Sequence, residues 1–210
     1  MLAGPNGSGK SSFVSTDVFE ALTNTPEHPG ALLRLNPDRL ALTLATERPD
    51  LKGDALALEA ARRNDDALDE MIEQRRSVLV ETVLSTDKLL ARVDRATTYG
   101  YWVGLVFLLL RRPELNVVRV AARVAQGGHD VPEDRIRRRW TNSIRNLPIF
   151  AKRVSGFWVF DNSLAGGPMT LLIERSDAGV YVSPLAEALA GDRSYPATLR
   201  EALSALIADL

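Results

Sequence analysis

Apolar positions along this chain recur with two periods, and the two periods alternate. Residues 10–22 place Phe13, Val14, Val18 and Leu22 at helical spacing. The run at 32–35 reads as a short strand, and Pro37 suits the first position of a helix over 37–46. A long helix is predicted over 54–75, with Leu58, Ala61, Leu68 and Ile72 near one face and acids on the other. Residues 78–80 form a strand ending in Glu81, and Leu89, Leu90, Val93 and Ala96 build a helix over 86–99. Residues 102–110 give the most apolar strand. Helices follow over 113–125 and 133–147, the second with Ile136, Trp140, Ile144 and Leu147 on one face. A strand over 157–160 leads to Asp161-Asn162-Ser163. Segments 170–174 and 180–182 read as a hairpin, and a helix over 197–208 closes the pattern.

Strands alternating with helices predict an α/β fold, with a mainly parallel sheet flanked by helices. The late hairpin would be an antiparallel addition. A length of 210 residues suits a single domain, read here as 1–210. Its parts would be a helical, Arg-rich lid at about 113–150 and a hairpin-and-helix appendage at 168–210. In such folds ligands bind beyond the carboxyl ends of the strands. The polar residues there are 4–11, Asn36, Asp38, Glu81, Ser85 and 161–163.

Residues 4–11 carry the most specific chemistry. Gly4, Pro5, Asn6, Gly7, Ser8, Gly9, Lys10 and Ser11 fit the P-loop pattern of glycine, four variable residues and Gly-Lys-Ser/Thr. Glycines let successive backbone N–H groups curl around a phosphate. Lys10 would reach the β- and γ-phosphates, and the Ser11 hydroxyl would sit on Mg²⁺. The helix that follows would aim its positive end at the same anion. A P-loop strand ordinarily lies inside the sheet, yet only Met1, Leu2 and Ala3 precede Gly4. Strands typically run about five to six residues, so about four to six further apolar residues are expected ahead of Met1. Without them the chain is expected to be markedly less stable.

Composition narrows the function classes. The net charge is −1, which gives the whole molecule no general attraction to nucleic acid or membrane. With no cysteine, disulfides, thiol catalysis and Cys-based metal sites are excluded, and a cytoplasmic location is expected. The apolar run at 101–110 is too short to span a bilayer, and no signal peptide is visible.

Asp38 follows a strand, where a carboxylate could accept the proton of an attacking hydroxyl; alternatively it is a first-turn acid favoured by the helix dipole. Glu81, at its strand end, could contact a substrate hydroxyl or Mg²⁺ through water, or simply meet solvent. Between 110 and 153 basic residues crowd together, Arg111, Arg112, Arg119, Arg123, Arg135, Arg138 and Arg139 among them. Arg135, Arg138, Arg139, Asn142 and Asn146 share the helix face opposite Trp140. An arginine row beside a P-loop suits stabilisation of charge on a transferring phosphoryl group; the alternatives are a solvated basic face or a nucleic-acid patch. His28 and His129 lack metal-ligand spacing, and His129 is expected to order its Gly-Gly-His loop.

Taken together, these stretches resemble the zeta toxin family of P-loop kinases over roughly residues 3–163, and most closely its short chromosomal zeta-like ATPases. The carrying motifs are the P-loop, Asn36-Pro37-Asp38, Glu81, Arg123-Val124, Gly-Gly-His-Asp-Val-Pro at 127–132, Arg138-Arg139 and Asp161-Asn162-Ser163. The resemblance implies a bacterial, ATP- and Mg²⁺-dependent phosphotransferase. Better-known members phosphorylate UDP-N-acetylglucosamine on a sugar hydroxyl, and an antitoxin protein enters as a partner. By resemblance, Lys10 binds the phosphates, Ser11 the metal, and Ser12 and Asn162 complete the nucleotide site. Asp38 is the base, while Asn36, Glu81 and Arg135 meet the substrate. Arg123, with one of Arg135, Arg138 or Arg139, stabilises the transferring phosphate. The chain departs from the family pattern in its short first strand, and its Gly-Gly-His loop differs from the arginine-bearing lid of the plasmid toxins. Two other functions compete: an ATPase or nucleotide switch without an acceptor, and a nucleic-acid-binding kinase whose affinity falls steeply with salt.

Overall fold

The computed structural model describes residues 1–23, 32–128 and 130–210. Among them, seven strands form one sheet in the order β2-β3-β1-β4-β5-β6-β7. They are β1 (Leu2–Ala3), β2 (Leu33–Leu35), β3 (Val78–Thr82), β4 (Gly104–Leu109), β5 (Gly156–Asp161), β6 (Thr170–Ser176) and β7 (Gly179–Val182). Strands β1 to β5 run parallel, and β6 and β7 add antiparallel. This is the expected mainly parallel sheet with a C-terminal hairpin.

Strand β4 shows why the sheet is buried on both faces. Its residues are apolar without alternation, as helices covering both sides require. Leu105, Phe107 and Leu109 pack with Trp140, Ile144, Leu147 and Phe150 of helix α7 (Glu133–Ala151), and with Leu199 and Leu203 of α9 (Ala197–Ala208). Val106 and Leu108 point the other way, onto Leu2, Phe13, Trp158 and Phe160. Helix α3 (Pro37–Glu47) and α4 (Gly53–Glu73) follow β2, α5 (Leu90–Thr98) follows β3, and α6 (Pro113–Ala125) follows β4. No helix among the described residues is long and apolar enough to cross a membrane.

Several elements differ from expectation. The helix expected over 10–22 breaks into α1 (Lys10–Phe13) and α2 (Asp17–Thr23). The Thr16 hydroxyl accepts the Phe19 N–H at 3.2 Å, which caps a new helix where the old one would have continued. Helix α5 starts at Leu90 rather than 86. Helix α7 runs past Pro148 to Ala151, because Phe150 and Ala151 bury in the core. Leu58 is 72% exposed, and the buried stripe of α4 runs instead through Ala60, Asn64, Leu68, Met71 and Ile72. Helix α8 (Pro184–Gly191), capped by the Ser183 hydroxyl, is an addition to the expected elements. His28 and His129 lie outside the described residues.

Candidate active site

The loop after β1 is a phosphate cradle in geometry as well as in sequence. Gly4 and Gly9 have φ of +144° and +97°, a region costly for side chains. A Cβ on Gly4 would lie 2.5 Å from the Leu108 carbonyl oxygen, and one on Gly9 would lie 2.4 Å from Asn162 Nδ2. Helix α1 begins at Lys10, so its first N–H groups have no intrahelical partner and open onto the loop. Ser11 and Ser12 are exposed in that same turn. The Lys10 ammonium folds back on the loop, donating to the carbonyls of Gly4 at 2.6 Å and Pro5 at 3.3 Å.

Electrostatics tie the dispersed residues to Lys10. Burial pulls its pKa down to about 8; Glu81 and Asp38 oppose that pull, while Arg123 and Arg139 add to it. Carboxylates from the ends of β2 and β3 and arginines from α6 and α7 therefore act on one ammonium. Arg139 is itself lowered, first by burial and then by Arg135 and Arg138, with Asp38 opposing. Its Nη1 donates to Asn6 Oδ1 in the loop at 3.1 Å. Arg135 and Arg138 are exposed and sense the site through Arg139.

Glu81 is buried at 8% exposure rather than solvated. Its Oε2 accepts from Arg34 Nε at 3.1 Å, from Arg34 Nη2, and from Asn36 Nδ2 at 2.7 Å. Asn36 also caps α3: its Oδ1 accepts the N–H groups of Asp38 at 2.9 Å and Arg39 at 3.2 Å. Asn36 thus uses its side chain to fix Glu81 and the turn that carries Asp38. Asp38 itself sits in the first turn of α3, near enough to act on both Lys10 and Arg139.

Behind Glu81, the chain passes through Leu84, a buried residue at φ +60°. Such a conformation costs about 1–3 kcal/mol and persists only when neighbours over-determine it. Here the Leu84 N–H donates to Thr82 Oγ1 at 3.0 Å, Ser143 Oγ donates to the Val83 carbonyl at 2.6 Å, and Asn146 Nδ2 donates to the Leu84 carbonyl at 2.9 Å. The polar face of α7 is therefore an interface with the Glu81 strand end, not a wholly solvated face. On the other side, Trp140 Nε1 donates to the Leu110 carbonyl at 2.8 Å.

Asp161, Asn162 and Ser163 divide their work. Asp161 is buried and pairs with Arg111 (2.6 Å from Nη2), and Ser163 Oγ accepts the Arg111 N–H at 2.9 Å, which locks the ends of β4 and β5 together. Asn162 Nδ2 donates to the Ser8 carbonyl at 2.9 Å. Sequence reasoning missed two supporting residues, Arg34 and Asn116, and saw Arg119 only as one of the basic row. Arg34 holds Glu81; Arg119 Nη2 donates to the Asn162 carbonyl at 2.7 Å; Asn116 Nδ2 donates to the Asn6 carbonyl at 2.6 Å. An arginine within a short apolar strand is a usable signal for Arg34. Nothing in the sequence marks Asn116.

Comparison with known proteins places this geometry. The family model described as zeta toxin matches residues 1–163. The chain belongs to the zeta toxin family. Members of that family are kinases or phosphotransferases. An uncharacterised protein of Haemophilus influenzae is 27% identical over 137 residues, covering 65% of this chain and 88% of that one. A crystal structure of AvrRxo1-ORF1 and -ORF2 with ATP is 17% identical with a TM-score of 0.67, over 99% of this chain and 78% of that one. The PezAT chromosomal toxin–antitoxin system of Streptococcus pneumoniae is 15% identical with a TM-score of 0.58, over 98% and 83%. These solved structures share the fold, and the family match stops at Ser163, before the β6–β7 hairpin.

Proposed function

We propose that this zeta toxin family member is an ATP- and Mg²⁺-dependent phosphotransferase that moves the γ-phosphate of ATP to a hydroxyl of a small molecule. The observation that carries the reading is the convergence of Asp38, Glu81, Arg123 and Arg139 on Lys10 at the mouth of the P-loop. A bare nucleotide site needs the loop and its lysine. The added carboxylates serve an acceptor.

In this reading Lys10 leaves the carbonyls of Gly4 and Pro5 for the β- and γ-phosphates. Asp38 takes the proton of the acceptor hydroxyl as its oxygen attacks the γ-phosphorus. Arg123 and Arg139 stabilise the charge on the transferring group, and the partial burial of Arg139 strengthens its share of that effect. Glu81, held through Oε2, keeps Oε1 for the acceptor. Mg²⁺ would neutralise phosphate charge, with Ser11 as its protein oxygen. Mg²⁺ ordinarily binds through one or two protein oxygens plus phosphates and water, a role the exposed Ser11 hydroxyl would fill. A UDP-N-acetyl sugar is the first acceptor to try, on the family resemblance. The toxin–antitoxin assembly among the structural relatives supports an antitoxin partner, and a cytoplasmic site of action follows from such a substrate.

The test is incubation with γ-labelled ATP, Mg²⁺ and a bacterial metabolite extract. Label should move to a metabolite, and the Lys10→Ala protein should leave it on ATP. Release of inorganic phosphate with no labelled metabolite would favour the ATPase or switch reading instead.

A further inference from the structure

The phosphate loop is held from behind by two side-chain amides, one from helix α6 and one from the end of β5. Asn116 Nδ2 donates to the Asn6 carbonyl at 2.6 Å, and Asn162 Nδ2 donates to the Ser8 carbonyl at 2.9 Å. These are alternate peptides of the loop, and every described peptide is trans. A trans peptide sets its C=O and the following N–H in opposite directions. Pinning the Asn6 carbonyl on α6 therefore turns the Gly7 N–H away from α6. Pinning the Ser8 carbonyl on Asn162 turns the Gly9 N–H away from Asn162. The N–H between them is used within the loop, where Ser8 donates to the Pro5 carbonyl at 3.1 Å. Neither the Gly7 nor the Gly9 N–H donates to a group of the described residues.

The surroundings keep these directions fixed. Gly7, at φ +77°, has no Cβ; one there would lie 3.0 Å from the Asn116 carbonyl oxygen and 3.3 Å from Val120 Cγ2, so the loop rests on α6 itself. One turn along α6 from Asn116, Arg119 Nη2 donates to the Asn162 carbonyl at 2.7 Å. The second amide is thus held by the helix that bears the first. Arg123, which acts on Lys10, lies a further turn along the same face.

Energetics separate Asn116 from a residue kept for packing. It is fully buried in a helix interior, where asparagine is a weak helix former. Its Oδ1 is buried without a hydrogen-bond partner among the described residues, which costs stability. The opposite amide orientation would set that oxygen against the Asn6 carbonyl, so the network fixes which atom donates. What Asn116 supplies in return is one directional bond to the loop.

We propose that Asn116 is a positioning residue of the phosphate loop, the counterpart of Asn162: Asn116 aims the Gly7 N–H, and Asn162 the Gly9 N–H, at the phosphates of a bound nucleotide. The role rests on the reading of this loop as a nucleotide site. Asn116 acts through the peptide that joins Asn6 to Gly7 and not by touching the nucleotide. Two pins on alternate peptides hold two donors in place before the anion arrives, so little backbone freedom is lost on binding.

The experiment follows the Gly7 and Gly9 amides by NMR as Mg²⁺ and ADP are added to the isotope-labelled full chain and to its Asn116→Leu and Asn162→Ala forms, each below its thermal midpoint. In the unsubstituted chain both amide protons should move downfield. Asn116→Leu should lose the Gly7 response and keep that of Gly9, and Asn162→Ala should do the reverse. ADP should bind each variant about 10-fold more weakly or worse, as for one misdirected hydrogen bond to a charged group. Loss of both responses together in Asn116→Leu would mean a general loosening of the loop, and loss of neither would mean a purely structural amide; each would overturn the proposal. If Asn116→Leu does not fold, Asn116→Ala carries the same measurement, and failure of both to fold would overturn the proposal by making Asn116 a residue of the fold alone. No response in the unsubstituted chain would overturn the nucleotide reading of the loop, and this role with it.

Discussion

At its carboxyl end β1 enters a loop whose surroundings are polar and engaged. Asn6 is held by Asn116 and Arg139, Ser8 by Asn162, and the Gly4 carbonyl by Lys10. At its amino end the same strand borders a cavity whose described walls are mostly apolar. Between the two ends lie only Leu2 and Ala3. The difference shows what each kind of contact specifies. Polar partners with directional bonds fix atoms at the loop, where chemistry needs them. Non-directional apolar burial fixes the strand's place in the sheet.

Breaking the polar end is expected to have the largest effect. Lys10→Ala removes the one ammonium on which the carboxylates and arginines converge. Phosphoryl transfer in the labelled-ATP assay should fall to background with the thermal midpoint little changed. Undiminished turnover would remove the loop from the mechanism. Next comes Asp38→Asn, which should keep ATP binding and slow transfer by about 10²- to 10⁴-fold, the usual loss with a general base. Collapse of ATP affinity with unchanged chemistry would make Asp38 a structural or metal-binding residue.

Arg139→Gln sharpens the comparison from α7. An interaction made mainly in the transition state lowers kcat more than it weakens ATP binding, here by about 10²- to 10³-fold if Arg139 acts like other preorganised charge stabilisers. A change confined to KM for ATP would return it to a loop-ordering role through Asn6. Arg34→Gln should act on the fold as well. It leaves the buried Glu81 carboxylate with Asn36 as its remaining donor, and breaking such a pair costs about 3–5 kcal/mol. Thermal unfolding measures that loss. A double Arg34→Gln, Glu81→Gln protein should recover stability but not transfer, which separates the ion pair's structural cost from the function of Glu81.

How far the sequence could be read follows the same division. The P-loop, Asp38, Glu81 and Asn162 were legible because each sits at a strand end, where a local run of apolar residues stops. Strand β4 and the buried face of α7 were legible because burial leaves a continuous apolar run in one and a helical period in the other. Arg34 and Asn116 were not, because their partners lie far away in sequence: Glu81 for one, Asn6 for the other. The break between α1 and α2 was hidden because Thr16 offers the backbone a cap that competes with an otherwise continuous helical pattern. The alternative of Glu81 as a bare, solvated strand-end charge fails for the same long-range reason, since Arg34 arrives from the neighbouring strand. Spacing alone puts Leu58 in the core, but it stands near the start of α4, where the helix presents it to solvent.

The smallest predicted effect tests the amino end through its charge. Burial lowers the α-ammonium of Met1 from 8.0 to about 6. Below pH 6 both folded and unfolded chains carry the proton, and the fold bears the full cost of burying it. Between pH 6 and 8 the unfolded chain binds more protons than the folded one, so stability rises with pH across that window. Above pH 8 this contribution is flat. The shift corresponds to at most about 3 kcal/mol, less whatever solvent reaches the half-buried residue, or a few degrees in midpoint. Lys10 does not intrude, since its own window runs from about 8 up to 10.5. The measurement is a difference between two forms of the chain, so that every other titrating group cancels. Acetylating the α-amino group keeps an N–H for the Gly104 carbonyl and removes the charge. The acetylated chain should be the more stable at pH 6, and the two midpoints should converge as pH approaches 8. Parallel curves for the two forms would mean that the terminus is hydrated when charged.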